Sequence, residues 1–76
     1  MSKTPVLKPG QVIKVLRKLG FNLVRQKGSH KQFGHPDGRR TTVPFHKGKD
    51  ISPILLRRIA KDIKLSMNEF VDVFKQ

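Results

Sequence analysis

Three histidines, His30, His35 and His46, are the side chains of this 76-residue sequence best suited to proton transfer near neutral pH. An imidazole with an ordinary pKa of about 6.5 both accepts and donates protons there. Such a group suits metal-free cleavage of RNA, which carries its own nucleophile in the 2′-hydroxyl. His30 has the most suggestive setting. It follows Gly28 and Ser29 in a tight connection, where backbone N–H groups can face an anion.

The residues alone leave other interpretations of these histidines open. His30 also fits an ordinary polar residue at the start of a strand. His35 precedes Pro36 in a turn, which favours a structural or solvated role, and His46 lies in a basic loop where it either touches phosphate or is simply exposed. A shared metal site is disfavoured, because His30 and His35 are an odd number of residues apart and point to opposite faces of a regular strand.

The acidic residues also argue against metal chemistry. The five acids are spread over turns, loops and helix surfaces: Asp37, Asp50, Asp62, Glu69 and Asp72. A two-metal nuclease needs several carboxylates that converge on the ions. No glycine-rich phosphate loop is present either. We therefore expect neither a metal nor a small-molecule cofactor.

The charge predicts a polyanionic partner. Lys and Arg number 17 against 5 Asp and Glu, which gives a formal net charge of +12. The partners that fit are nucleic acid, an anionic membrane or an acidic protein. No apolar stretch approaches the roughly 20 residues that cross a bilayer. The first residues lack the apolar core of a signal peptide, and there is no cysteine. We expect a cytoplasmic protein with no membrane partner.

Basic residues on both sides of the predicted turns form a candidate RNA track. Each group alone is more often a solvated surface, but together they suggest phosphate contacts that position RNA without reading its bases. The predicted RNA-binding residues are Arg25, Lys27, Lys31, Arg39, Arg40, His46 and Lys47. Among the five Phe residues, only Phe45 is expected to be exposed, so base stacking has little support and we expect weak sequence specificity.

Hydrophobic periodicity predicts one α+β domain over residues 1–76, with residues 1–8 as a flexible lead-in. The predicted elements are a helix from Pro9 to Leu19, strands Phe21–Gln26, His30–His35 and Arg40–Pro44, a helix from Pro53 to Ile63 and a short helix from Ser66 to Lys75. Short connections make the strands a three-stranded antiparallel meander. Both main helices are expected on one face, which leaves the other face open to water.

Several short motifs give the sequence a resemblance to a known family. The runs are Gly20-Phe21, Val24-Arg25-Gln26-Lys27-Gly28-Ser29-His30, His35-Pro36-Asp37-Gly38-Arg39 and Val43-Pro44-Phe45-His46. In this combination, and over residues 10 to 74, the sequence resembles the HicA family, the toxins of HicA–HicB toxin–antitoxin pairs. One departure is Lys8-Pro9, where members of the family often have a helix-capping serine.

The resemblance implies a fold like that of double-stranded-RNA-binding domains and cleavage of mRNA without a translating ribosome. It places the catalytic histidine on His30 and the adjacent glycine on Gly28. We expect Gly28 and Ser29 to form the active-site loop that shapes the phosphate pocket. The implied partner is a HicB antitoxin, which blocks the active site and helps to repress the shared operon. We therefore predict a metal-independent endoribonuclease. The alternatives are a non-catalytic RNA-binding module and a protein whose basic face only docks an acidic partner.

Overall fold

The computed structural model describes residues 5–46 and 48–76. Its elements are α1 (Pro9–Lys18), β1 (Asn22–Lys27), β2 (His30–Gly34), β3 (Arg40–Pro44), α2 (Pro53–Asp62) and α3 (Met67–Lys75). The strands form one antiparallel sheet in the order β1-β2-β3. The predicted α+β fold, with its three-stranded meander and short C-terminal helix, is confirmed.

Helix α1 begins and ends where local chemistry dictates. Pro9 occupies its first turn, where a missing N–H costs nothing, and the N–H of Lys8 donates to Oε1 of Gln11 at 2.8 Å in place of a serine cap. At the other end Gly20 has φ +93°, and the N–H of Phe21 donates to the Leu16 carbonyl at 2.9 Å. This Schellman motif turns the chain so that Phe21 enters the core.

The two connections of the sheet use different turns. Gly28 has φ +59° while Ser29 does not have a positive φ, so the two-residue connection between β1 and β2 has the type II′ pattern. The connection from β2 to β3 is longer. The Gly38 N–H donates to the His35 carbonyl at 2.9 Å, and Gly38 has φ +98°, as in a type I turn followed by a left-handed glycine.

The core lies on one face of the sheet. Phe33 and Val43 point into it from β2 and β3, and the three helices supply most of the rest. Every residue of β1 is exposed. The most deeply buried members are Val12, Val15, Leu16, Phe21, Phe33, Val43, Ile51, Leu56, Ile59, Ile63 and Phe70. The helices thus cover one face and leave the other open, as predicted.

The chain before α1 is partly described. Leu7 is 4% exposed, and its carbonyl accepts the N–H of Ile51 at 2.7 Å. This bridge attaches the end of the predicted lead-in to the core, while residues 1–4 lie outside the described part of the chain.

None of the helices in residues 5–46 and 48–76 has the length and hydrophobicity needed to cross a membrane.

Candidate nucleic-acid interface

The open face of the sheet carries His30 among basic and polar side chains. In the register of the sheet, Lys27 and Pro44 lie opposite His30 on either side, and Arg25 lies opposite Gln32. Directly opposed residues share a face. His30, Lys27 and Arg25, three of the predicted site residues, are therefore brought together on the surface that the helices leave uncovered.

A groove of about 580 Å³ runs between this open face and the side of α2. It is called the His30 groove below. Its lining residues are Val24, His30, Gln32, Phe33, Arg40, Thr41, Thr42, Pro44, Leu55, Arg58, Ile59 and Asp62. His30, Arg40 and Arg58 are all exposed, so an imidazole and two guanidinium groups face the same solvent-filled space.

The charge of the His30 groove is mainly positive. Asp62 is the only acid among the described residues that line it, and its Oδ2 accepts the hydroxyl of Thr41 at 3.1 Å. No carboxylate in residues 5–46 and 48–76 forms an ion pair with Arg40 or Arg58. Both guanidinium groups therefore remain available to an anion such as phosphate.

A β-bulge shapes one wall of the groove. The pairing of β1 with β2 shifts between Leu23 and Arg25, which leaves Val24 as the extra residue. The side chain of Val24 lies over Gly34, because a Cβ built on Gly34 would lie only 2.9 Å from Val24 Cγ2. The bulge also restores the alternation, so that Arg25 and Lys27 face the same way as His30.

The predicted active-site loop, Gly28 and Ser29, forms the turn at one end of the groove. A Cβ at Gly28 would meet nothing within 4 Å, so only the left-handed backbone (φ +59°) favours glycine there. The Ser29 carbonyl accepts the N–H of Phe45 at 2.6 Å, and Ser29 Oγ lies 3.4 Å from Nε2 of His46. The turn is thereby joined to the segment after β3.

Two of the predicted RNA-binding residues lie on the other side of that turn. Lys31 alternates with His30 along β2, and its Nζ lies 4.2 Å from the ring centroid of Phe45. His46 lines a second groove, of about 440 Å³, together with Phe45 and the start of α1. This one is called the Phe45 groove below. Lys47 lies outside the described residues. Of the predicted track, Arg40 thus lines the His30 groove and His46 lines the Phe45 groove, while Lys31 contacts the Phe45 ring.

Arg39 lies in the turn between β2 and β3, at the end of β2 away from His30. Its Nη1 donates to the Ile63 carbonyl at 2.6 Å, its Nε donates to Asp37 Oδ2 at 2.7 Å, and its guanidinium carbon lies 5.1 Å from the Phe21 ring centroid. Since β2 rises about 3.3 Å per residue, its two ends are roughly 13 Å apart. The structure thus places Arg39 in a packed turn, away from His30.

His35 and Asp37 complete that packed turn. The His35 ring lies 5.0 Å from the Phe21 ring, and a Cβ built on Gly20 would lie 3.1 Å from His35 Nε2. The backbone N–H of Arg39, and then its side chain, lower the pKa of Asp37 below its ordinary value. His35 therefore has the structural surroundings that its position before Pro36 suggested.

Arg58 is not among the site residues predicted from the sequence. This residue lies between the buried Leu56 and Ile59 on α2, at the border of the apolar surface. Its position at the edge of the apolar side of α2 could have been predicted from the sequence. The strand that packs beside this edge could not, because that depends on the tertiary structure. In residues 5–46 and 48–76, no three His, Asp or Glu side chains are placed to hold a metal ion together.

Taken together, the fold and the site define a small, basic α+β domain with an exposed histidine on its open sheet face. The family model described as the HicA toxin of bacterial toxin–antitoxin systems matches residues 10–65. This match covers more than half of the 76 residues, and the chain belongs to the HicA toxin family. Membership implies an antitoxin partner. No curated protein matches the chain.

Proposed function

We propose that this toxin is a metal-independent endoribonuclease that binds and cleaves mRNA in the cytoplasm, with His30 as its catalytic residue. The observation that carries the proposal is the His30 groove. There an exposed imidazole shares one open space with Arg40 and Arg58, on the face that the helices leave free. Family membership supports a toxin, and destruction of mRNA is one way in which a toxin would stop growth.

The chemistry needs only what the groove supplies. The 2′-oxygen of RNA attacks the adjacent phosphorus, and the imidazole of His30 takes the 2′-hydroxyl proton. The bond from phosphorus to the 5′-oxygen breaks, and that oxygen receives a proton from the imidazolium or from water. Arg40 and Arg58 stabilise the charge that develops on the phosphoryl oxygens. The products are a 2′,3′-cyclic phosphate and a 5′-hydroxyl end.

Other residues of the open face and the turn would hold the RNA. Arg25 and Lys27 extend the positive charge beyond His30 on the same face, and the Gly28–Ser29 turn borders the position of the reacting phosphate. A HicB-type antitoxin that covers this face would exclude RNA and inhibit the toxin.

One observation favours a second candidate, a non-catalytic RNA-binding module. Among the described residues, no carboxylate or carbonyl forms a hydrogen bond with the His30 ring, whereas catalytic bases are commonly oriented by such a group. In this alternative the basic face binds RNA and His30 is incidental.

A cleavage assay in excess EDTA separates the two candidates. Wild type is compared with His30→Ala, and Asn22→Ala is the matched control, because Asn22 is exposed opposite Gly34 at the far end of the same face and does not line the groove. Loss of one general acid–base group typically lowers the rate by about 10²- to 10⁴-fold. We expect that loss for His30→Ala only, with RNA binding and circular dichroism unchanged. Wild type that binds RNA without cutting it, or His30→Ala that cuts at the wild-type rate, contradicts the proposed activity.

A further inference from the structure

The Phe45 groove lies outside the proposed catalytic groove and has a distinct composition. Phe45 and Pro9 give it an apolar surface, and a Cβ on Gly10 would meet nothing within 4 Å, so the start of α1 borders open space. Phe45 is 36% exposed, while Phe21, Phe33 and Phe70 are almost fully buried. Lys31 Nζ lies over one face of the Phe45 ring, so a flat ligand in the groove would stack on the other face.

The rim of the Phe45 groove is positively charged. Lys8, Lys14 and Lys49 line it, no acid is among its described lining residues, and Lys31 Nζ lies 4.2 Å from the Phe45 ring centroid. Among these described lysines, only Lys8 forms an ion pair, with Asp50 at 3.2 Å. The charge therefore selects an anion, and the aromatic ring selects one that carries a planar group. RNA combines both, through its phosphates and bases.

The two grooves meet at one turn. His46 lines the Phe45 groove and reaches Ser29 at 3.4 Å, and Ser29 is the neighbour of His30. A strand whose phosphate lies at His30 can therefore continue past the Gly28–Ser29 turn into the Phe45 groove. Only an unpaired strand can offer a base there, because the bases of a duplex are stacked and paired.

We propose that the Phe45 groove is a subsite for one unpaired nucleotide of RNA, whose base stacks on Phe45 while Lys14 and Lys49 contact its phosphates. The inference takes from the proposed function only that RNA is the ligand. It assigns Phe45 a role in selecting single-stranded over duplex RNA. Proton transfer by His30 does not require that selection.

Binding of an uncleavable probe tests this subsite independently of catalysis. The probe is a short, fully 2′-O-methylated single strand with one 2-aminopurine, whose fluorescence falls when it stacks. We expect Phe45→Leu to weaken binding roughly tenfold, within the range for loss of one base–aromatic stack, and to abolish the quenching. Phe45→Trp should preserve both. Ile54→Ala, which removes a 75% exposed apolar side chain on α2, should change neither.

A second variant fills the groove without touching Phe45. Gly10→Leu projects into open space, and leucine favours a helix more than glycine does. We expect a raised Tm together with weakened binding of the single strand and unchanged binding of a blunt duplex. Opposite effects on stability and on binding cannot arise from partial unfolding.

The outcomes discriminate clearly. Unchanged single-strand affinity and quenching in Phe45→Leu and Gly10→Leu overturn the subsite. If the same variants instead lose affinity only for polyglutamate, the groove receives an acidic protein and the RNA inference is wrong. Failure of wild type to cleave RNA would contradict the proposed ribonuclease but leaves these binding results valid.

Discussion

The two ends of β2 carry similar residue types, but their side chains differ in how many partners they contact. At one end, His30 stands beside Gly28 and Lys27; at the other, His35 stands beside Gly38 and Arg39. In the second turn the Asp37 carboxylate contacts both His35 Nδ1 and Arg39 Nε, and Arg39 Nη1 also donates to the Ile63 carbonyl. At the first end, the His30 ring has no such partner among the described residues.

The difference shows that residue type alone does not separate a binding surface from a structural cluster. A guanidinium that already donates to a carboxylate and a carbonyl gains little from a phosphate, because it must first break those bonds. An exposed guanidinium without such partners gives up only bound water when it contacts a phosphate. Existing partners therefore distinguish Arg40, on the open face, from its neighbour Arg39.

The sharpest test of this comparison replaces the two neighbouring arginines. Arg39→Ala removes a charged hydrogen bond to Ile63 and another to Asp37, so we expect about 2 kcal/mol less free energy of unfolding and a Tm lower by roughly 10 °C. Arg40→Ala should change stability by less than about 0.5 kcal/mol. It should instead weaken RNA binding. It should also reduce the slope of log K against log salt concentration by about one, which corresponds to the loss of one phosphate contact.

Thermal unfolding and salt-dependent binding, measured on both variants, provide the readout. Equal losses of Tm, or normal RNA binding by Arg40→Ala combined with weak binding by a folded Arg39→Ala, would reverse the roles that the structure gives these residues.

The acid sensitivity of the packed turn gives a second, smaller effect. In the folded state, hydrogen bonds from the Arg39 backbone N–H and side chain lower the pKa of Asp37 below its ordinary value of 3.8. The folded protein therefore favours the carboxylate. This stabilisation is present above the unfolded-state pKa and is lost as pH falls through the lower folded-state pKa. Asp37→Asn should lower Tm at neutral pH, and its difference from wild type should shrink below pH 3.8.

Melting curves across the acid range check this expectation, with Asp72→Asn on the exposed surface of α3 as the control. A difference between wild type and Asp37→Asn that stays constant down to the lowest pH would mean that the Asp37 charge does not stabilise the turn.

The smallest expected effect concerns the helix end that presents the Ile63 carbonyl to Arg39. Lys64 has φ +59°, and the Leu65 N–H donates to the Ala60 carbonyl at 2.9 Å, which is the Schellman geometry found at Gly20. A left-handed lysine is strained, so Lys64→Gly should stabilise the protein by about 0.5–1 kcal/mol. Gly20→Ala should destabilise it, because its Cβ would meet the His35 ring.

Urea midpoints of the two variants measure this contrast between the helix ends. A lower midpoint for Lys64→Gly would show that the lysine side chain contributes more than its backbone strain costs.

Most of the fold could be predicted because local rules decide it. Pro9, Gly20 and the Ser66–Glu69 capping box mark helix ends through short-range bonds, and the structure has all of them. β1 was predicted one residue too early. It begins at Asn22 because Phe21 still completes the cap of α1.

The site could be predicted only in part. Alternation along β2 could have separated Lys31 from His30, since adjacent residues face opposite ways. The partner of Arg39 is 24 residues away at Ile63, and no local pattern reveals it. Arg58 likewise enters the groove through the packing of α2 beside β3. The bulge at Val24 depends on the pairing with β2, which periodicity within one strand does not show.

That bulge also disfavours an incorrect register between β1 and β2. If β2 slipped by one residue against β1, Phe33 would turn to water and His30 to the helices. Val24 sits over the one position of β2 that has no side chain, Gly34. In a slipped pairing, Val24 would meet Phe33 or His35 instead. A glycine and an extra residue thus specify a single strand alignment, in a sheet whose exposed first strand provides few apolar contacts to correct an error.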